Sequence, residues 1–194
     1  MKKSKLFLLT AIFLAFATSS CNLSGKTSED EAFYRDFMNW FNHGHSQPVV
    51  IDEYTRLWSG DETYLTTKLH PIKNEDYELS QEVIDDFIAK NSVPSQLPKN
   101  MDIGVKYILI TESEKEEMLK SQKYIWEAIK EKYPAFSGMI LTLSSVGFDK
   151  AYTHALISYY FKLGGSGGGG YCVFEKETNS WVWKDCFRSW KFDY

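Results

Sequence analysis

Met139 to Trp190 reads MILTLSSVGFDKAYTHALISYYFKLGGSGGGGYCVFEKETNSWVWKDCFRSW, and this stretch decides the fold. Met139–Val146 and Tyr152–Lys162 are rich in β-branched and aromatic residues, the composition of strands. Tyr171–Lys176 and Trp181–Trp190 repeat that composition on either side of a turn at Thr178-Asn179. Gly164–Gly170, interrupted only by Ser166, reads as a flexible hairpin loop, because glycine accepts the dihedrals that loops need. Four consecutive strands with short links predict an antiparallel meander. One face of such a sheet must be covered.

The cover is expected from the segment just upstream. Thr111 and Ser113 each have a glutamate three residues on, Glu114 and Glu116, as in a capping box. A helix over 113–132 then turns Met118, Leu119, Gln122, Ile125, Trp126 and Ile129 inward, and Tyr133-Pro134 stops it. Val105–Ile110 reads as a strand. Further back, Ser80 is a candidate N-cap for a short helix with Val83, Ile84, Phe87 and Ile88 on one face. Residues 91–102 hold two prolines and read as a surface connection. Phe33, Phe37, Trp40 and Phe41 form one apolar stripe of a helix over 29–42, and Pro48 opens an extended Val49-Val50-Ile51. The class is therefore α+β: a C-terminal four-stranded antiparallel β-meander packed against one long helix, with smaller helices N-terminal.

Met1–Ser20 has the marks of an export signal: Lys2, Lys3 and Lys5, then LFLLTAIFLAFA, then Thr18-Ser19-Ser20. The apolar run falls short of the roughly 20 residues needed to cross a bilayer. With Cys21 at the cut point, this start resembles the lipobox of bacterial lipoproteins. The resemblance implies that Cys21 is diacylated on sulfur and becomes the first residue, leaving the protein lipid-anchored in the bacterial envelope and facing periplasm or exterior. Residues 21–30 read as a polar tether, and 31–194 as one α+β domain.

Three of the 22 basic residues lie in the signal, leaving 19 against 26 acidic ones. That balance argues against a nucleic-acid partner, which needs basic stripes to neutralise phosphates. The aromatic share of 16% reads mainly as core and sheet faces.

Cys172 and Cys186 are the two cysteines left besides Cys21, and an exported pair invites a disulfide. Their midpoint is Asn179, inside the predicted turn. A two-residue loop alone would leave them one place out of register, so the bridge requires a bulge or a three-residue loop.

Candidate chemistry is sparse. Gly164–Gly168 matches G-x-S-x-G at Ser166, but a strand follows where a nucleophile elbow needs a helix. His43 and His45 make a weak metal clip without further ligands in view, and His70 and His154 cannot be placed beside them. The acidic pairs Asp52-Glu53, Asp61-Glu62, Glu75-Asp76 and Asp85-Asp86 read as solvated surface. Ser144-Ser145 reads as the close of a strand. Trp181, Trp183, Phe187 and Trp190 on the last strand are the candidate ligand or partner surface.

Trp126, Tyr133-Pro134, Ser137-Gly138, LSSVGF at 143–148, Ala155-Leu156, Gly164–Gly170, Tyr171, Glu175-Lys176 and Trp181 together resemble a family of uncharacterised exported bacterial proteins. The glycine link here lacks that family's frequent cysteines, and its turn is Thr178-Asn179 rather than Asp-Gly. The resemblance implies an exported β-meander and brings no activity with it. The expected role is a non-catalytic domain that binds a protein or small-molecule partner, without a cofactor. The alternatives are an envelope hydrolase acting on cell-wall or glycan material, and an immunity or inhibitor protein.

Overall fold

A computed structural model describes residues 23–42, 48–55, 72–73, 77–120, 124–136 and 138–193, with side chains described for all of these except 23–28, 72–73 and 188–193. Cys21, His43, His45, His70, Asp61-Glu62 and Glu75-Asp76 lie outside the described residues, as does the side chain of Trp190.

Helix α1 spans Leu23–Phe41, so residues 23–30, read above as tether, are helical. Four short strands follow: β1 Val49–Asp52, β2 Tyr54–Thr55, β3 Ile72–Lys73 and β4 Glu78–Leu79. Next come helix α2 (Gln81–Asn91) and strand β5 (Ser95–Gln96). Strand β6 (Tyr107–Ile110) leads into α3 (Glu112–Lys120) and α4 (Ile125–Lys132). The remaining strands are β7 (Met139–Leu143), β8 (Gly147–Phe148), β9 (His154–Leu163), β10 (Ser166–Glu177) and β11 (Ser180–Asp193).

The α+β class stands, but the expected meander under one helix is replaced by a larger sheet. Seven strands form one mixed sheet in the order β11-β10-β9-β7-β1-β6, with β8 beside β9. Neighbours from β7 to β11 are antiparallel, whereas β1 runs parallel to both β7 and β6. Val49–Ile51 is a short continuous apolar run, as suits a strand buried on both faces, and Tyr107–Ile110 is a similar run, only partly buried at the sheet's edge. Their own residues do not reveal that they join the sheet built from Met139 onward.

The single helix expected over 113–132 is two helices. Tyr124 has extended backbone at φ −57° and ψ 134°, which a helix cannot run through. Thr111 carries the capping box: its hydroxyl accepts from Glu114 N (3.1 Å), and Glu114 Oε2 accepts from Thr111 N (2.9 Å). Leu119, expected inward, is 63% exposed because the break ends the stripe after Met118.

Alternation along the strands sorts side chains to two faces. Val49, Ile51, Leu141, Leu143, Ala155, Ile157, Cys172 and Phe174 point to one face, against Phe33, Phe37 and Met38 of α1. There Phe33 meets the rings of Phe174, Trp181 and Phe148 at 5.1, 5.5 and 5.8 Å, in edge-on contacts. Thus α1, not the 113–132 region, covers the antiparallel strands on this side. On the other face, Leu156, Tyr171 and Val173 pack on Val83, Ile84 and Phe87 of α2. Val50, Ile110 and Ile140 pack there on Met118 and Ile129 of α3 and α4. The result is three layers, helix on sheet on helices.

The glycine run is strand rather than loop. Only Gly164 and Gly165 turn, Gly164 at φ +59°. Gly167–Gly170 are buried in β10 and pair with Tyr159–Lys162, and Gly167–Gly169 pair on the other side with Trp190–Phe192. Bare glycine strands leave room beside bulky neighbours, here Tyr159, Tyr160 and Phe161.

Thr178-Asn179 is a two-residue turn, closed by Glu177 opposite Ser180. The register then slips between Val173 and Phe174, where Lys184 is the extra residue on β11. That bulge brings Cys186 directly opposite Cys172, with their Cα atoms 4.0 Å apart and their sulfurs at bonding distance.

Candidate functional site

The three parallel strands end together, and their carboxyl ends gather most of the buried polar groups. Ligands of open α/β sheets bind in the crevice outside such ends. Asp52 and Glu53 leave β1 here. Read as solvated from sequence, both are buried, at 7% exposure each. The reason lies in α3, whose first turn follows β6 and meets them. Asp52 takes both its oxygens to Lys115 Nζ, at 2.8 and 2.9 Å, and Glu112 completes that ammonium's shell at 2.6 Å. Glu53 accepts from the Glu112 backbone N–H (3.2 Å) and from Gln96 Nε2 (3.3 Å). The remaining pair, Asp85-Asp86, divides: Asp85 is exposed, while Asp86 holds Lys90 at 2.7 Å and the Phe148 backbone N–H at 2.8 Å.

At the base of α3, Glu114 gathers Thr111, Lys132 and Tyr133. Burial alone would raise its carboxyl, but these hydrogen bonds outweigh it and bring the pKa down to about 2.

Beside the acids, β7 runs into Ser144 and Ser145, and each has a defined task. Ser144 is fully buried. Its Oγ donates to Ser145 O (3.0 Å) and accepts from Ser158 N (2.8 Å), and its carbonyl accepts from Tyr34 OH (3.0 Å). Burial first, and the charge of Asp30 second, push the Tyr34 hydroxyl well above the usual tyrosine range. Ser145 is clamped by one amide: Asn91 Oδ1 accepts its N–H at 2.8 Å, and Asn91 Nδ2 donates to its carbonyl at 2.9 Å. Two residues on, Gly147 lets α2 approach, since a Cβ there would lie 2.4 Å from Phe87 Cβ and 2.7 Å from its backbone.

The clamp aims Ser145 Oγ at Thr55 Oγ1 and Ser95 Oγ, both 3.1 Å away, and those two are 2.8 Å apart. Three hydroxyls from three separate parts of the chain thus form a triangle. It lies in the wall of a cavity of about 430 Å³, shared with Tyr34, Lys90, Asp30, Glu31, Leu97 and Met101. That volume falls within the range of small-molecule sites. A more open groove of about 1120 Å³ runs along the outer edge of β6, past Lys106, Tyr107 and Leu109.

The residues singled out from sequence lie elsewhere. Trp181 is core at 4% exposure; its backbone N–H donates to Asp36 (2.7 Å) and its Nε1 to Glu29 (2.9 Å), fastening β11 to α1. Trp183 is 41% exposed and stacks on Trp40 at 5.7 Å, with its Nε1 donating to Cys186 Sγ at 3.2 Å. Phe187 follows the bulge, turns to the opposite face and stacks on Tyr171 at 5.7 Å. The structure therefore does not bring Trp181, Trp183 and Phe187 onto one surface.

Ser166 donates its hydroxyl to Leu163 O across the tight turn (3.1 Å) and opens a strand, not the helix of a nucleophile elbow. His154 meets Asp149 at 2.8 Å and Glu175 at 3.6 Å on the outer rim. Among the described residues, no group of three or more His, Cys, Asp or Glu is arranged to hold a metal ion. No described helix is long and apolar enough to cross a membrane.

Thr55, Ser95 and Asn91 carry no sequence signal of their own. LSSVGF did flag Ser145, though as a strand end. Comparison with known proteins finds no matching family model, no matching curated protein and no matching solved structure.

Proposed function

We propose that this is a lipid-anchored envelope protein whose α+β domain binds a small ligand, without chemistry, in the cavity beside the ends of β1 and β7. The observation that carries the reading is the Thr55–Ser95–Ser145 triangle, held at 2.8 to 3.1 Å by elements distant in sequence. Hydroxyls clamped from behind are suited to binding, because little ordering remains to be done when a ligand arrives. The lipid anchor rests on the signal and Cys21.

Two measurements test the reading. Intact mass of membrane-extracted protein should carry a diacylglycerol adduct that Cys21→Ser abolishes; an unmodified mass for the wild type would remove the anchor. A small-molecule library followed by thermal shift should yield ligands whose stabilisation is lost in Ser145→Ala. Hits that ignore Ser145→Ala, Thr55→Val and Ser95→Ala alike would move the binding site elsewhere. The half-exposed Trp183, stacked on Trp40, favours a second reading as a partner surface. Trp183→Ala should then release a partner captured by crosslinking in the native envelope.

A further inference from the structure

We infer that strand β6, at the outer edge of the sheet, takes an extended acidic peptide segment as an added strand. This site is separate from the cavity and does not rest on the small-ligand reading. Among the described residues β6 pairs only with β1 and ends the sheet. Its carbonyls at Lys106 and Ile110 accept from Val49 N and Glu53 N, both at 3.1 Å. Backbone groups alternate in direction along a strand, so Ile108 also faces β1, while Tyr107 and Leu109 turn their N–H and C=O outward. Both residues line the open groove of about 1120 Å³. An edge of this kind is a template for another strand. β6 contains no proline, and its register on β1 runs without a shift, so neither device blunts the edge.

Charge states what the added strand carries. The groove's three carboxylates are engaged: Glu53 with Gln96 and the Glu112 N–H, Glu114 with Lys132 and Tyr133, and Asp102 with Arg35 at 3.9 Å. Its two ammonium groups are not. Among the described residues neither Lys99 nor Lys106 has a side-chain hydrogen bond or an ion pair, and both are exposed. Alternation places Lys106 on the face that Ile108 shares with α3 and α4. Lys99 belongs to the other face, where its carbonyl accepts from Tyr107 OH (3.1 Å). The two free cations thus flank the amino end of β6 from its two faces. A strand laid along the edge meets Tyr107 and Leu109 with its main chain, and a carboxylate at that end meets the lysines. A basic strand would meet like charge there. Val105, Tyr107 and Leu109, partly buried against the core, offer apolar contact to its alternate side chains.

The test uses blocked hexapeptides of alternating valine and threonine, ended by two glutamates, two glutamines or two lysines and each made in both orders. They are titrated into the full-length protein in detergent at neutral pH. Calorimetry should rank a glutamate peptide first, about fivefold or more above its glutamine counterpart, the scale of two exposed ion pairs. Lys99→Gln with Lys106→Gln should bring the glutamate peptide down to the glutamine one and leave the latter unchanged, with a melting curve to check the fold. Strand addition is tested by N-methylating the best peptide at alternate residues, in each of the two registers. One isomer should lose about tenfold or more and the other keep its affinity, because only one set of N–H groups faces β6. A glutamine or lysine peptide in first place, or a glutamate margin that survives the lysine variant, overturns the acidic partner. Isomers that bind alike overturn strand addition. Binding by none of the six overturns the inference. So does a dimer of the free protein that is dissolved by Leu109→Pro, which removes an outward N–H, because the edge would then belong to a second copy.

Discussion

The antiparallel and parallel halves of the sheet are built by different means. Strands β9, β10 and β11 are long, adjacent in sequence and joined by two-residue turns, with a cysteine pair across the last hairpin. Strands β1, β6 and β7 are short and drawn from residues 49 to 143, and helices and buried ion pairs hold their ends. The first half is a scaffold that closes on itself. The second leaves its strand ends open, and the cavity lies there. Precise polar placement is concentrated where the chain had to bring distant segments together.

The largest effect that would sharpen this contrast is at Phe33, the ring that ties α1 to the antiparallel half. Phe33→Ala should cost about 3–5 kcal/mol in urea unfolding. Hydrogen exchange would show whether protection is lost in β9–β11 first; equal loss in β1 and β6 would mean that the halves form one cooperative unit.

Asp52→Asn strikes the parallel half. It removes the bidentate partner of a largely buried Lys115, with Glu112 still in place, and should cost roughly 3 kcal/mol. Pairing it with Lys115→Met should recover part of that loss. A double variant no better than the single would show that the pair's geometry, rather than its stranded charge, is what matters.

Opening the Cys172–Cys186 bridge, by Cys→Ala at both positions, should cost roughly 2–3 kcal/mol, with the apolar packing around it retained. A larger loss would mean that the bridge holds the bulge in register as well as closing the loop.

The smallest expected effect is in acid. Glu114 has a folded pKa of about 2, below its ordinary value of 4.5. Its contribution is therefore present above pH 4.5 and is lost as pH falls toward 2. Glu114→Gln should flatten the melting temperature against pH in that window, by an amount reduced by solvent screening. An unchanged slope would mean that other carboxylates govern acid unfolding.

The same division explains what could be read in advance. The β9–β11 strands were legible because turn residues and alternation are local, and the spacing of Cys172 and Cys186 called for a bulge or a three-residue loop, of which the structure has the bulge. The Thr111 capping box was legible for the same reason. Gly167–Gly170 misled because glycine marks loops by composition; its place in a strand depends on neighbours, Tyr159 to Phe161, that composition does not assign. Asp52-Glu53 misled because burial of an acid depends on a partner, here Lys115, 63 residues away. Thr55, Ser95 and Ser145 acquire meaning only when 90 residues of chain are folded together.

The fastening of α1 to β11 has a consequence for how the chain matures. The first described helix is completed by the last described strand, through Asp36 and Glu29, which accept from the backbone N–H and the Nε1 of Trp181. β1 likewise waits for β6 and β7. Among the described residues, the apolar faces of α1 and β1 are covered by segments made much later, and sheets closed by such distant contacts form slowly. A nascent chain of this design stays unfolded until nearly all of it is made. That is the condition in which a polypeptide can be threaded through a narrow pore, with folding deferred to the far side.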